Sequence, residues 1–317
     1  MKSLIARNRP VAAAYALVLV LAVAGEIIAP GFLRVSHVDQ LVIEATFTAF
    51  VALGQGFVIL TGGIDLSIPW VLNAAAILLT TFAAGSSAKM AWLIPLLVAG
   101  GALIGLVNGL GVTLLRVPPI IMTLGMSSVV EGALLLYTNG GSGGNAPSAD
   151  VYLATHRWGP LPVVGLVWIA VLVAATFTLS ATPFGRRLYA TGLSRRVTEF
   201  AGVSTGAVTV AVYVISGVAA ALAGIVLAGY VGQSYLGMGD PYLFSSVAAV
   251  AIGGASILGG SGNYVGTTAG ALVLALLAAI LPILGLPQSA LEIVYGCVIL
   301  VAISVSSGRL GKRRESS

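Results

Sequence analysis

The run PYLFSSVAAVAIGGASILGGSGNYVGTTAGALVLALLAAILPILGLPQSAL, residues 241–291, contains no Asp, Glu, Lys or Arg. It is long enough for two crossings of about 20 residues each with a turn between them. Two further runs, 66–88 and 203–239, also contain no Asp, Glu, Lys or Arg. Over all 317 residues 58% are hydrophobic and only 8% are charged, against roughly 25% charged in an ordinary soluble domain. A soluble fold of this size needs far more charge to cover its surface, so the surrounding solvent is itself apolar. Strict period-two alternation is absent, which argues against an outer-membrane barrel. Backbone groups in lipid must then pair within their own segment, which leaves helices. The fold class read from the chain is an all-α integral membrane protein.

Apolar segments place about ten spans, at 11–30, 40–62, 66–85, 90–114, 118–138, 161–181, 207–230, 243–259, 264–285 and 288–306. Glycine pairs interrupt two regions, Gly62-Gly63 in 40–85 and Gly253-Gly254 with Gly259-Gly260 in 243–285. Some of those elements are therefore expected to be broken or re-entrant. GFVILTGGIDLS (56–67) and AVAIGGASILGG (249–260) both set a Gly-Gly break after an apolar run, a pattern that suits two inverted halves. The start resembles a signal peptide, with Lys2, Arg7 and Arg9 before an apolar stretch. A long multi-span chain follows, so an uncleaved first helix is the reading.

Ten crossings from a cytoplasmic N-terminus can be checked by charge. Twelve basic residues then fall inside: Lys2, Arg7, Arg9, Arg116, Arg186, Arg187, Arg195, Arg196, Arg309, Lys312, Arg313 and Arg314. Three fall outside: Arg34, Lys89 and Arg157. Cytoplasmic loops are enriched in Lys and Arg, so both termini are expected in the cytoplasm. The net charge of +5 thus reports topology and points away from nucleic acid. It also provides for contact with anionic membrane lipid.

Two loops stand out. Residues 139–160, with GGSGGNAPSAD at 140–150, read as a flexible external segment. Residues 182–206, with TPFGRRLYATGLSRRVTEFAGV at 182–203, form the longest polar cytoplasmic segment. Leu193, Val197 and Phe200 recur there at helical spacing.

Several chemistries are excluded. No Gly-x-x-x-x-Gly-Lys-Ser/Thr phosphate loop exists, and none of the three lysines has that context. His37 and His156 are the only histidines, and neither is spaced for a zinc protease. The lone Cys297 allows no disulfide within the chain and no cysteine metal site; it reads as a small buried hydrophobe. The chain is therefore expected to be no enzyme and to carry no cofactor or metal of its own. Glu26, Glu44, Glu131 and Glu292 fall in or near spans, where acids draw functional suspicion. An ion-coupled secondary transporter would use such a residue as its relay and is the alternative reading; a passive channel is a third.

Four segments carry a resemblance. They are ALGQGFVILTGGIDLS (52–67), GLVNGLGVTLLRVPPIIMTLGM (105–126), the basic loop 182–206, and SSVAAVAIGGASILGGSGNYVGTTAGALVLALL (245–277). In the first, Gly62 and Gly63 can end one helix in a left-handed conformation, and Asp65 or Ser67 can cap the next. In the second, Pro118 and Pro119 suit a helix entry, and Thr123 and Gly125 suit close packing. In that order and spacing, over about 40–305, they resemble the permease subunits of monosaccharide ABC importers. These are the ribose, xylose and galactose group, in the superfamily shared with branched-chain amino-acid permeases.

The resemblance implies one permease domain over 1–317 in the bacterial inner membrane. It implies a second permease copy (a homodimer), two ATPase domains that bind ATP and Mg, and a periplasmic sugar-binding protein. It makes 182–206 the ATPase-docking loop, with Arg195, Arg196, Glu199, Phe200 and Gly202 as docking residues. Gly62, Gly63, Asp65, Asn108, Thr123, Gly253, Gly254, Gly259 and Gly260 are candidate pathway or gate elements; the plainer reading makes the glycines packing points and Asp65 a helix cap. The chain departs from the family pattern at Ile68-Pro69-Trp70, at Val197-Thr198 and at Leu243-Phe244-Ser245. The expected solute is therefore a sugar, a polyol or another small polar molecule.

Overall fold

The computed structural model describes residues 2–314 except Ser142 and Pro160. Those two residues of the 139–160 loop, and the ends of the 1–317 domain at 1 and 315–317, lie outside the described residues. Among the described residues the fold is all-α apart from one ribbon of two-residue strands and an isolated bridge between Asn145 and Gln233. Its helices are α1 (Lys2–Ile28), α2 (Val35–Leu60), α3 (Ile68–Ala83), α4 (Met90–Thr113), α5 (Pro119–Thr138) and α6 (Ser148–Thr155). They continue as α7 (Val163–Ala181), α8 (Pro183–Leu193), α9 (Arg195–Phe200), α10 (Thr205–Val231), α11 (Tyr242–Ile252), α12 (Tyr264–Ile283) and α13 (Gln288–Arg314).

Among the described residues seven helices are long and apolar enough to cross a membrane: α1, α2, α4, α5, α7, α10 and α12. Shorter apolar helices are α3, α11 and the Gln288–Ser304 part of α13. Each of the ten apolar segments of the sequence thus has its own helix, three of them short. The expected span 243–259 shrinks most. Its helix stops at Ile252, because Gly253 lies against the backbone of Gly266 and Gly254 turns to φ +85°. Residues 253–263 then run as irregular backbone.

Close backbone contact at glycine builds the centre. On α4, Gly101, Gly105 and Gly109 recur every fourth residue and face Gly217, Tyr213 and Val210 of α10. A Cβ on Gly105 would overlap the Tyr213 carbonyl and lie 2.9 Å from the Val214 Cα. Lipid gives apolar helices no hydrophobic reason to associate, so close van der Waals approach between small residues holds them together. Gly224 of α10 meets Leu72 of α3 in the same way, and Gly54 of α2 meets Ser216. Helices α2, α3, α4 and α10 enclose one apolar core, while α2, α11, α12 and α13 enclose another. Helix α1 lies at the periphery.

Two expectations change. Cys297 is exposed on α13, where a buried position is expected. An apolar segment in a bilayer is apolar on its outer face too. Glu26 proves structural. Its carboxylate accepts the backbone N–H groups of Gly31 and Leu33, at 2.9 and 2.8 Å, and closes the turn after α1.

The loop 139–160, expected to be flexible, carries structure of its own. Gly143 N–H donates to the Ser234 carbonyl and Ala146 N–H to that of Gly232. Strand β1 (Arg157–Trp158) pairs antiparallel with β2 (Leu161–Pro162). Arg157 holds Asp39 of α2 in an ion pair at 2.5 Å. Helix α6 rests on α10 where Gly229 meets the Asp150 backbone.

Asp150 is buried there, with no hydrogen-bond partner for Oδ2 among the described residues. Burial pushes its carboxyl up to about 7. The folded state thus binds this proton more tightly than the unfolded chain. The seat of α6 is firmest below the ordinary carboxylate range and weakens as pH rises through about 7, by at most roughly 4 kcal/mol. Amide hydrogen exchange in α6 is expected to speed up as pH rises from about 4 to about 7 and to level off above that, after correction for intrinsic rate. In Asp150→Asn that acceleration should vanish.

Candidate functional site

The break between α2 and α3 is built by its own sequence. Thr61 and Gly62 close α2 through N–H bonds to Val58 and Ile59, and Gly62 adopts φ +80°. Gly63 N–H then returns to the Val58 carbonyl, and a Cβ there would lie 2.8 Å from the Tyr213 hydroxyl. Asp65, not Ser67, caps α3. Ser67 occupies the N-cap position but makes no capping bond. Asp65 Oδ1 instead accepts from Ser67 N–H at 2.9 Å and Ser67 Oγ at 2.6 Å.

Four other helical positions complete this knot. Ser216 of α10 donates to Asp65 Oδ2 at 2.7 Å. Asn108 of α4 donates to Ser67 Oγ at 2.9 Å. Asp65 N–H donates to Gln55 of α2 at 3.3 Å. Thr123 of α5 accepts from Leu66 N–H at 3.0 Å. Irregular backbone at membrane depth is tolerated when protein satisfies it, and these side chains do so. Asp65, Asn108 and Thr123 are fully buried. The sequence singles out those three and misses Gln55, Tyr213 and Ser216. The available signal was a lone polar side chain inside an uncharged run. Gln55 Nε2, Asn108 Oδ1 and the Tyr213 hydroxyl are buried without a hydrogen-bond partner among the described residues.

The second break lies directly against the first. Gly260 N–H donates to the Leu60 carbonyl at 2.9 Å. Gly259, at φ +91°, would put a Cβ 2.8 Å from the Gly62 nitrogen. Helix α8 joins both: a Cβ on Gly192 would overlap the Leu60 carbonyl and lie 2.5 Å from the Gly260 nitrogen. Tyr189 of α8 donates to the Gly262 carbonyl at 2.7 Å. Beside this junction is a cavity of about 750 Å³, lined among others by Pro10, Arg186, Tyr189, Gly253, Gly254 and Asn263.

The basic loop folds as α8 and α9. Thr182 caps α8 through Gly185 N–H, and Ser194 caps α9 through Val197 N–H. Arg195 and Glu199 turn back onto α10, bonding Thr209 at 3.2 Å and Thr205 at 2.5 Å. Arg196 lies 5.9 Å from the centre of the Phe200 ring. Phe200 is 80% exposed, and Leu193 and Val197 are about as bare, at 67% and 66%. The residues at helical spacing therefore form an outward apolar face on α9 and the end of α8. Gly202 ends the loop at φ +77° with open space around it.

Residues 37–303 match the family model described as branched-chain amino acid transport system, permease component. The chain is 33% identical over 284 residues to the ribose import permease protein of Escherichia coli K12, covering 88% of each chain. It is 29% identical over 303 residues to the ribose import permease protein of Haemophilus influenzae, covering 94% of this chain and 93% of that one. It is 31% identical over 311 residues to the autoinducer 2 import system permease protein of Photorhabdus laumondii, covering 98% and 92%. No solved structure matches. With a family model spanning most of its length and relatives covered almost end to end, this chain belongs to the branched-chain amino-acid transport system permease family.

Proposed function

We propose that this chain is the membrane-spanning permease subunit of a bacterial ABC importer, passing a sugar or a related small polar solute across the inner membrane. The observation that carries this is the near full-length likeness to permeases named for ribose and for autoinducer 2 import. It favours ATP-driven import over an ion-coupled carrier. Energy comes from two separate ATPase domains holding ATP and Mg. A periplasmic binding protein delivers the solute, and a second copy of the chain completes the permease. The twelve-to-three split of basic residues supports both termini being cytoplasmic.

In this reading α8 and α9 are the docking element. Leu193, Val197 and Phe200 enter an ATPase groove. Arg196 flanks them, Arg195 and Glu199 fix the loop on α10, and Gly202 ends it. Gly62, Gly63, Gly253, Gly254, Gly259 and Gly260 are gate elements, held by Asp65, Asn108 and Thr123. Gly192 sits where both breaks meet, so a shift of the docking element is delivered to them without an intermediary. Shear between packed elements of this kind is a recurrent way to convert nucleotide-driven closure into motion. The three buried polar atoms without partners are groups that a second arrangement of the break can satisfy.

The test is co-expression with the ATPase and periplasmic binding protein of a sugar importer. Uptake in vesicles is expected to require ATP and to survive collapse of the proton gradient; uptake by the chain alone on an ion gradient would end this reading. Phe200→Asp puts a charge on the apolar face. It is expected to cut ATPase co-purification at least tenfold while leaving the permease folded, read by its elution in detergent. Unchanged co-purification would move docking elsewhere.

A further inference from the structure

The segment between α10 and α11 leaves the outer end of α10 and passes down beside α3. The Ser234 hydroxyl bonds that of Thr80 at 2.7 Å. Two turns lower, the Asn73 side-chain amide donates to the Tyr235 carbonyl at 3.0 Å and accepts from Gly237 N–H at 2.6 Å. Lower again, Gly239 packs on the Pro69 carbonyl. From Thr80 to Pro69 the descent is about 16 Å at 1.5 Å per helical residue. Residues 232–241 thus carry non-helical backbone well into a membrane about 30 Å thick. Such backbone is tolerated where it is buried in protein or borders water.

Its lower end is not buried. Asp240 is exposed. Glu131 of α5 is half-buried and within electrostatic reach of Asp240. Glu131 is about 18 Å along α5 from Pro119, so it lies well inside that helix. Trp70, also half-buried, packs as Met126 and Leu236 do against the small core of Ile77, Val130 and Leu134 between α3 and α5. Along α5, Leu124, Ser128, Glu131 and Leu135 share one outward stripe. Carboxylates at this depth on a lipid-facing surface would be costly, and such residues normally face a water-filled cavity or a partner. Helix α3, helix α5 and segment 232–242 contain no Lys or Arg to neutralise them.

We infer that this face, bounded by Trp70 of α3, the Leu124–Leu135 stripe of α5 and Asp240, lines an aqueous path that accepts neutral polyhydroxy solutes and rejects anions. The inference rests on the permease reading, with a second copy of the chain closing the opposite side. The carboxylates accept hydrogen bonds from hydroxyl groups. The indole offers its face to a sugar's C–H groups, and the uncompensated negative charge repels a phosphorylated or carboxylated solute. None of these residues is among the glycines and buried polar groups of the two breaks.

The experiment is thiol labelling of the assembled importer in vesicles, in a Cys297→Ser background. Single cysteines are placed at Leu124 and Ser128 on the stripe. Two controls are Val129, on another face of α5, and Val173 of α7, both more than 60% exposed. Membrane-impermeant cationic and anionic methanethiosulfonates are the probes. Leu124→Cys and Ser128→Cys are expected to react at least tenfold faster than the controls, and faster with the cationic probe. Adding Glu131→Gln to Leu124→Cys should lower the cation-to-anion rate ratio severalfold. Equal labelling of all four cysteines, or a ratio indifferent to Glu131→Gln, overturns the inference. ATP-driven uptake measured in the same vesicles separates the two readings, because its absence alongside the labelling pattern sinks the importer and leaves the aqueous face standing.

Discussion

Gly105→Leu is expected to leave almost no folded protein in the membrane. The side chain would start inside the van der Waals envelope of the Tyr213 carbonyl, with the Tyr213 carbonyl carbon 2.7 Å from its Cβ. What it meets is helix backbone, which cannot rotate away as a side chain can. Relief requires parting α4 from α10 along the Gly101–Gly217 and Gly109–Val210 contacts as well. Overpacking a well-filled site costs typically 1–3 kcal/mol and occasionally more. Here three contacts open together, so a loss above about 3 kcal/mol is expected. Gly125→Leu is the matched control, because Gly125 of α5 has open space at its Cβ. The yield of monodisperse protein in mild detergent and its thermal unfolding midpoint check both. Gly105→Leu should fail on each measure, and Gly125→Leu should elute as wild type. Equal yields would mean that α4 and α10 do not meet through their backbones.

Asp65→Ala is expected to have the second-largest effect. It removes the acceptor for Ser67 N–H, Ser67 Oγ and Ser216 Oγ at once, in a region closed to water. A buried polar group left without a partner costs about 1–3 kcal/mol. Two such groups bring the loss to roughly 2–6 kcal/mol before relaxation. Asp65→Asn keeps an acceptor for Ser67 and can donate from its nitrogen to Ser216. It is expected to recover most of the thermal stability and most of the ATP-driven uptake. That pair of variants separates two roles for Asp65. Recovery by Asn belongs to a residue that holds the break. Stability recovered without uptake would instead give the carboxylate a direct part in moving solute.

Much of the site is legible in the sequence, and the missing part has a common cause. The Gly-Gly breaks, Asp65, Asn108 and Thr123 are visible as interruptions or polar residues in apolar runs, and the fold brings Asp65, Asn108 and Thr123 into one knot. The apolar spacing of Leu193, Val197 and Phe200 predicts the helix that becomes α9 with the end of α8. Yet the docking set expected from the sequence names neither Leu193 nor Val197. Arg195 and Glu199, which the resemblance puts in that set, are engaged with α10. Charge along a loop says nothing about which side faces its own helix.

The sequence by itself determined that the chain is a bundle of membrane helices, where those helices fall, and where two of them break. Segment hydropathy and the positions of glycine and proline carry that information locally, residue by residue. Only the tertiary structure decided which face of each helix is inside. In water a buried face announces itself by being apolar, but in a bilayer the outward face is apolar as well. Hence Cys297 is exposed, Gly125 faces open space while Gly105 touches a neighbouring backbone, and 243–259 ends as a short helix followed by coil. The meeting of Leu60, Gly192 and Gly260 joins three stretches far apart in the chain, and no local pattern encodes it. The descent of 232–241 beside α3 is of the same kind. Its backbone can leave helical pairing at that depth because Asn73 of α3 bonds the Tyr235 carbonyl and the Gly237 N–H, while Thr80 holds the Ser234 hydroxyl.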